Sequence, residues 1–279
     1  MKTTIISFIL IISFYLVACA QTNQSSDIQM MDSSKIFRSI PMFSNFVKDT
    51  FVIDVSLPAG YEAELVTHYP LLILTDGNWR RPQHRTIHSL SDTGGIKKMV
   101  VVGISYPDSY DVTNIRKRDF LYGAENFLDF ILSELLPFLH SNYRLTDERT
   151  LWGSSFGGYF VMYTLFQFPQ KTKDVFQHYI VASPAVYQTT PFKGKPKNLL
   201  EYEAMLSQQT DSLPVDLYAT VGGNEDTSAF YNPFLQLVHQ IEEHRYKDFH
   251  FEYYIDPGKD HFTVWEPTLV RGLQLFLHQ

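Results

Sequence analysis

A short glycine-rich turn at residues 151–158 limits how this chain folds. Its sequence is Leu-Trp-Gly-Ser-Ser-Phe-Gly-Gly. The residues before it are typical of a buried strand, and residues 159–166 after it are typical of a buried helix. Gly153 and Gly157 flank Ser155 where strand and helix approach each other most closely. The pattern therefore predicts a sharp strand–turn–helix unit that directs the Ser155 hydroxyl out of the sheet.

Strand-like and helix-like segments alternate along the rest of the chain. Strand patterns occur at residues 50–57, 69–74, 99–104, 178–182, 215–221 and 249–255, and helical spacing at residues 125–143, 230–245 and 263–277. Alternation of this kind is typical of a mostly parallel sheet with helices on both faces. With Gly-x-Ser-x-Gly at a strand end, it predicts the α/β class and the α/β-hydrolase fold. The polar segment 187–214 is expected to form a small insertion over the active site.

The N-terminal residues are predicted to form an export signal. A basic start is followed by an apolar run at residues 5–17, which ends in Leu-Val-Ala-Cys19 with the only cysteine of the chain. This resembles the lipobox of bacterial lipoproteins, in which the signal is cut before the cysteine and a lipid is attached to it. We therefore predict a lipoprotein-type signal peptide at 1–19, a polar tether and lead-in at 20–44, and a single domain at 45–279.

These boundaries imply an exported protein. With a lipid on Cys19, it would be a bacterial cell-envelope lipoprotein attached to a membrane. The alternative is an ordinary secretory signal cleaved near Ala20. The net charge of −7 argues against a nucleic-acid partner. The sequence gives no prediction of the oligomeric state.

A nucleophilic serine needs a base, and the base needs an acid that orients it. In α/β-hydrolases the acid and then the histidine follow the serine, on loops after later strands. Among the ten histidines, His261 lies in such a loop, just before the last helix. The acid is expected after the strand at 215–221, where Glu225 and Asp226 are adjacent. We favour Glu225, on an exposed loop, because Asp226 resembles a helix cap; Asp226 is the alternative.

Stabilisation of a negatively charged intermediate requires two N–H donors. Phe156 follows the predicted nucleophile and is expected to supply one. The second is expected from the loop after the strand at 69–74, where Gly77 lets the chain turn the N–H of Asn78 toward the site. Phe156 and Asn78 are thus the predicted oxyanion hole.

Several short motifs resemble those of the putative-esterase family. They lie at residues 56–61, 74–78, 103–107, 116–119, 134–138, 222–225 and 260–265, and in the turn at 151–158. The family includes ferric-enterobactin and salmochelin esterases, bacterial feruloyl esterases and S-formylglutathione hydrolases. The resemblance implies a serine hydrolase of small-molecule carboxylic esters that uses no metal or other cofactor. It also implies Ser155, Glu225 and His261 in the roles given above.

Basic residues follow two of the loops expected around the site. One group follows the predicted oxyanion loop and the other follows the next strand: Arg80, Arg81, Arg116, Lys117 and Arg118. Positive charges there would suit an anionic substrate such as a ferric catecholate lactone. The alternative is that each charge is paired with an acid of the protein.

Two tryptophans are candidates for stacking on a substrate. Trp79 follows Asn78, and Trp265 follows the His261 loop. They would suit a feruloyl or other carbohydrate ester, or they are core residues. A different class of function also remains open, a lipoprotein that binds a ligand in a hydrolase fold without catalysis.

Overall fold

The computed structural model describes residues 37–168 and 170–278. The predicted signal peptide, Cys19 and most of the predicted tether lie outside these residues. Within them the chain forms a central eight-stranded sheet and a separate two-stranded hairpin. The ten strands are β1 (Phe37–Ser44), β2 (Asp49–Ser56), β3 (Tyr69–Leu74), β4 (Val100–Ser105), β5 (Leu145–Ser154), β6 (His178–Ala182), β7 (Thr190–Phe192), β8 (Lys195–Lys197), β9 (Asp216–Gly222) and β10 (His250–Asp256).

The central sheet has the strand order β1-β2-β4-β3-β5-β6-β9-β10. Strands β3, β4, β5, β6, β9 and β10 pair in parallel. Strands β1 and β2 are antiparallel and extend the sheet beyond β4. The predicted mostly parallel sheet is confirmed, and the carboxyl ends of its parallel strands share one edge.

Helices cover both faces of this sheet. They are α1 (Arg81–Asp92), α2 (Val112–Lys117), α3 (Ala124–Phe130), α4 (Leu136–Asn142), α5 (Phe156–Leu165), α6 (Leu199–Ser207), α7 (Asn232–His244) and α8 (Trp265–Phe276). The helix predicted at 125–143 runs from α3 through a π-helical turn into α4, whose first turn contains Pro137. Within the described part of the chain, no helix is both long and apolar enough to cross a membrane.

Alternating side chains of the central strands pack into two separate cores, one on each face of the sheet. Leu71 and Ile73 of β3 point into the core shared with α3, α5 and α7. Leu72 and Leu74 point to the opposite face, where α1 and α8 pack. Because successive side chains of a strand face opposite ways, a strand buried on both faces must be apolar throughout. This explains the continuous apolar runs in the sequence.

The first strand lies earlier than the expected domain boundary. β1 pairs with β2 from Phe37 to Ser44, so the domain includes residues placed in the predicted lead-in at 20–44. Pro41 lies in the middle of β1. Proline cannot donate a ladder hydrogen bond, so its presence argues against a strand at the sequence level. It is tolerated here because β1 lies at the edge of the sheet. The boundary predicted at residue 45 is therefore too late.

The segment 187–214 contains the β7–β8 hairpin and helix α6. The Tyr159 hydroxyl of α5 donates to the Lys197 carbonyl oxygen at 3.1 Å. The fully buried Glu203 of α6 bonds to His244 Nδ1 at the end of α7, at 2.6 Å. These bonds hold the segment against helices α5 and α7, in the helical layer on that face of the sheet.

Candidate active site

Ser155 lies at the junction of β5 and α5 with φ 58° and ψ −119°. A positive φ is strained for a residue with a Cβ and places the side chain at the tip of the turn. A Cβ on Gly153 would overlap the Gly157 carbonyl, and one on Gly157 would overlap the Thr75 hydroxyl. Glycine at both positions therefore permits the close contact that the sharp turn requires.

Ser155, His261 and Glu225 form one chain of hydrogen bonds. Ser155 Oγ is 3.0 Å from His261 Nε2, and His261 Nδ1 is 2.9 Å from Glu225 Oε2. A carboxylate only accepts hydrogen bonds, so Nδ1 carries the proton and Nε2 is free to accept the serine hydroxyl. The three residues come from the turn after β5, the loop after β9 and the loop after β10, which meet at the carboxyl edge of the sheet.

Glu225 is buried rather than exposed as expected. Its side chain has no solvent-accessible surface. Oε1 accepts hydrogen bonds from the Gly222 N–H at 2.7 Å and from the Ser183 hydroxyl. Oε2 is thereby left for His261, and both carboxylate oxygens have donors.

Asp226 makes a different set of hydrogen bonds. It is exposed, and its Oδ1 accepts from the Ser228 N–H at 2.9 Å and the Ala229 N–H at 2.8 Å. Hydrogen bonds from the Ser228 side chain and from these amides lower the pKa of Asp226. Of the two adjacent acids, Glu225 is thus hydrogen-bonded to His261, and Asp226 caps the segment that follows.

The two predicted oxyanion donors lie in the first turns of short helical segments. Phe156 begins α5, and Asn78 lies in a 3₁₀ turn at Gly77–Trp79. N–H groups in a first helical turn have no acceptor within the helix, so they are available to an anion. The Asn78 side chain donates to the Tyr106 carbonyl at 2.8 Å and accepts from the Tyr106 N–H at 2.7 Å. These two bonds fix the loop that presents the Asn78 backbone.

A buried ion pair joins this loop to the serine turn. Arg116 donates two hydrogen bonds of 2.6 Å to the two oxygens of Asp76, and both side chains are almost fully buried. Its guanidinium also donates to the Ser154 carbonyl at 3.4 Å and lies 5.1 Å from the centre of the Phe156 ring. Arg116 therefore links the loops that carry the two predicted oxyanion donors, and its charge is already paired.

Arg80 is buried in the protein and packs against Trp265. The Arg80 guanidinium lies between two indole rings, 4.7 Å from the Trp152 centroid and 4.1 Å from the Trp265 centroid. It donates to Ser154 Oγ at 3.1 Å. Burial lowers the pKa of Arg80 to about 10. Arg80 is thus buried away from the rim, and Trp265 is partly buried against the second core.

The other two predicted substrate-binding arginines have acidic partners. Arg81 Nε lies 3.0 Å from the buried Asp54, and Arg118 bridges Asp49 and Asp119. Arg80 packs between two indole rings and Arg116 pairs with Asp76, so the four arginines do not form a free positive rim. Internal pairing with acids thus holds for Arg81, Arg116 and Arg118. The Lys117 ammonium lies 5.8 Å from the centre of the Phe156 ring.

Aromatic side chains remain exposed beside the site. Trp79 is 45% exposed, and Phe262, next to His261, is 81% exposed. The Arg116 guanidinium lies 5.3 Å from the Trp79 ring centre. Trp79 is thus the more exposed of the two tryptophans.

Two residues of the site were missed in the sequence. Ser183, with φ 44°, directly follows β6 and donates to Glu225. Its place after a predicted strand was a usable signal. The Phe230 ring lies against the His261 ring with centroids 4.0 Å apart, and no sequence pattern indicated this. Among the described residues, no cluster of three or more His, Cys, Asp or Glu is placed to hold a metal ion.

Comparison with known proteins identifies the family. A family model described as "Putative esterase" matches residues 44–276. A search of the curated proteins found no match. Similar solved structures include an IroE-like serine hydrolase from Shewanella oneidensis, with 22% identity, 86% of this chain and 80% of that chain covered, and a TM-score of 0.73. Siderophore hydrolase EstB from Aspergillus nidulans is 21% identical, with coverages of 87% and 95% and a TM-score of 0.72.

A ferulic acid esterase is a further similar structure, with 16% identity, coverages of 86% and 96%, and a TM-score of 0.63. At these identities the likeness shows the fold, and the predicted α/β-hydrolase fold is confirmed. The family model spans most of the chain, and it implies a small-molecule ester as substrate. The chain therefore belongs to the putative esterase family.

Proposed function

We propose that the protein is a serine hydrolase that cleaves carboxylic esters through an acyl-enzyme. The observation that carries this proposal is His261, which bridges Ser155 Oγ and the buried Glu225 through its two ring nitrogens. A nucleophile hydrogen-bonded to a base, with the base oriented by a third group, is the arrangement that activates a serine.

In the first half of the proposed reaction, Ser155 Oγ attacks the ester carbonyl carbon and its proton passes to His261 Nε2. The carbonyl oxygen becomes an oxyanion, which the N–H groups of Phe156 and Asn78 stabilise. The buried carboxylate of Glu225 stabilises the imidazolium that forms. Collapse of the intermediate breaks the ester C–O bond, and His261 returns the proton to the leaving alcohol.

In the second half, a water molecule takes the place of the alcohol. His261 removes a proton from the water as its oxygen attacks the acyl-enzyme carbonyl. Collapse of the second intermediate releases the carboxylic acid and returns the proton to Ser155 Oγ. The same residues act in both halves, so the cycle consumes only ester and water.

The test is the catalytic rate of variants on an activated p-nitrophenyl ester. Ser155→Ala and His261→Ala should each remove nearly all turnover, because nucleophile and base act as one unit. Asp211→Ala is the control: this exposed surface acid pairs with Lys247, away from the site. Wild-type rates in a folded Ser155→Ala variant would exclude the serine mechanism and favour a ligand-binding role.

For the substrate, we propose an ester whose acid carries an aromatic ring. The exposed rings of Trp79 and Phe262 beside the site support this, since aromatic faces stack on one another. The ester would be of the siderophore or feruloyl kind. The pairing of Arg81, Arg116 and Arg118 with acids weakens the case for an anionic substrate.

A panel of ferric catecholate lactones, feruloyl esters and short p-nitrophenyl esters tests this choice. We expect higher kcat/KM for the aromatic acids, and a loss of that preference in Trp79→Ala. Equal kcat/KM across acids with and without a ring would contradict it.

We also propose that the protein is exported and anchored in the cell envelope by lipid on Cys19. The support is the lipobox-like sequence that ends at this residue. The wild-type protein should partition with membranes, and Cys19→Ser should release it or leave the precursor uncut. A wild-type protein that is wholly soluble, with its N-terminus at Gln21, would contradict the anchor.

A further inference from the structure

The face of the His261 ring is covered by a residue outside the hydrogen-bonded chain. Phe230 lies with its ring centroid 4.0 Å from that of His261, and the two planes are inclined by 33°. Phe262 meets the same imidazole edge-on, with centroids 5.6 Å apart, but is itself 81% exposed. Phe230 is partly buried and packs against the main core. It is thus the ring held in place against the imidazole.

Asp226 holds the segment that presents Phe230. This segment is the π-helical turn Thr227–Tyr231. The Asp226 side chain caps it through the Ser228 and Ala229 N–H groups, and the Asp226 carbonyl accepts from the Phe230 N–H at 3.1 Å. Two consecutive acids therefore serve one imidazole: Glu225 bonds its edge, and Asp226 supports the residue on its face.

We propose that Phe230 is a positioning residue for His261, and that Asp226 affects the reaction only by holding Phe230 in place. This inference rests on the proposed function. The imidazole becomes a cation when it takes the Ser155 proton, and the negative face of an aromatic ring attracts a cation. The contact is therefore stronger in the transition state than in the resting enzyme, which is the condition for an effect on rate. The ring also prevents the imidazole from turning away from Ser155.

The principal comparison is Phe230→Leu with Phe230→Tyr. Leucine keeps an apolar side chain but loses the aromatic face, whereas tyrosine keeps the ring. We expect Phe230→Leu to lower kcat by roughly 5- to 30-fold with little change in KM, as for a partly desolvated cation–π contact. Phe230→Tyr should retain most of the wild-type kcat. Equal rates in the two variants, or an effect mainly on KM, would overturn the proposal.

Two further comparisons test whether Asp226 acts on kcat through Phe230, and Phe230 through His261. Asp226→Ala should lower kcat in the same direction, whereas Asp226→Asn keeps a capping oxygen and should not. In a His261→Ala background, Phe230→Leu should cause no further loss of the residual rate, because the residue it positions is gone. A further loss there would contradict an action of Phe230 through His261. Additive effects in the Asp226→Ala/Phe230→Leu double variant would contradict an action of Asp226 through Phe230.

The same assays separate this inference from the proposed function. If Ser155→Ala abolishes turnover while Phe230→Leu has the wild-type kcat, the esterase mechanism stands and the positioning role fails. If folded Ser155→Ala retains the wild-type rate, the proposed function itself fails. Circular dichroism and urea unfolding of each variant separate loss of structure from loss of rate.

Discussion

Replacing Glu225 with glutamine should invert the hydrogen bonding of His261. The Gly222 N–H can only donate, and it lies 2.7 Å from Glu225 Oε1. A glutamine in the same place must turn its carbonyl oxygen toward this N–H, so its NH₂ group faces His261 Nδ1. Nδ1 then accepts instead of donating, and the ring proton moves to Nε2. In that tautomer His261 cannot accept the Ser155 proton.

The expected loss is large because Glu225 is buried. In serine proteases the equivalent change of acid to amide costs about 10⁴-fold in kcat through the same wrong tautomer. We expect a loss of about 10³- to 10⁴-fold for Glu225→Gln, equivalent to roughly 4–5 kcal/mol of activation free energy. A smaller effect would be expected only of an acid exposed to water.

Comparison with Glu225→Ala makes this prediction sharper. Alanine leaves a space in which the correct tautomer can persist, so the kcat of Glu225→Ala should exceed that of Glu225→Gln. Alanine also leaves the buried Gly222 N–H without its acceptor, which costs about 1–3 kcal/mol of stability. Glutamine should thus be the more stable and the less active of the two variants.

The assay is kcat on a p-nitrophenyl ester together with urea unfolding of each variant. Glu243→Gln, an exposed substitution of the same type on α7, is the control. A Glu225→Gln variant within about tenfold of the wild-type kcat would refute the reasoning, because a wrong tautomer leaves no effective base.

Two other predictions concern the scaffold. Gly157→Ala should destabilise the protein by about 1–3 kcal/mol and reduce turnover, because the added Cβ would overlap Thr75. Gly223→Ala, whose Cβ would have its nearest neighbour at 3.4 Å, is the stability control, and equal melting temperatures of the two variants would contradict this prediction. Burial lowers the pKa of His84 and of His88 to about 4, against about 6.5 in an unfolded chain. Between those pH values the unfolded chain binds more protons, so the free energy of unfolding should fall as pH falls, by up to about 1.4 kcal/mol per pH unit for each histidine. Urea unfolding at pH 7 and pH 5.5 measures how the free energy of unfolding changes with pH, and His84→Gln should make that change smaller. An unchanged slope in His84→Gln would contradict a lowered pKa of His84.

The serine turn and the central strands could be predicted because their causes are local. The glycines around Ser155 are required by contacts within a few residues, and a strand buried on both faces must be apolar throughout. His261 and the Glu225–Asp226 pair followed from the order in which parallel strands return to one edge. The structure then distinguished the two acids through Gly222 and Ser183, which hold one of them in place.

The partners of the arginines could not be predicted, because they are set by packing between distant segments. Arg80 and Ser154 are 74 residues apart in the chain, and Arg116 and Asp76 are 40 apart. Strand β1 was hidden by Pro41, which is tolerated only because the strand lies at the edge. The contact of Phe230 with His261 likewise depends on a cap and a π-helical turn that carry no distinctive sequence pattern.

The most direct test of the account is to find which residue a fluorophosphonate labels. The reagent forms a stable bond with a serine oxygen only where a base activates it. Intact-mass analysis and peptide mapping of the wild-type protein should show one adduct, on Ser155. The adduct should be absent in Ser155→Ala and form far more slowly in His261→Ala. A folded wild-type protein that takes no label, or an adduct that persists in Ser155→Ala, would contradict the claim that Ser155 is the activated nucleophile.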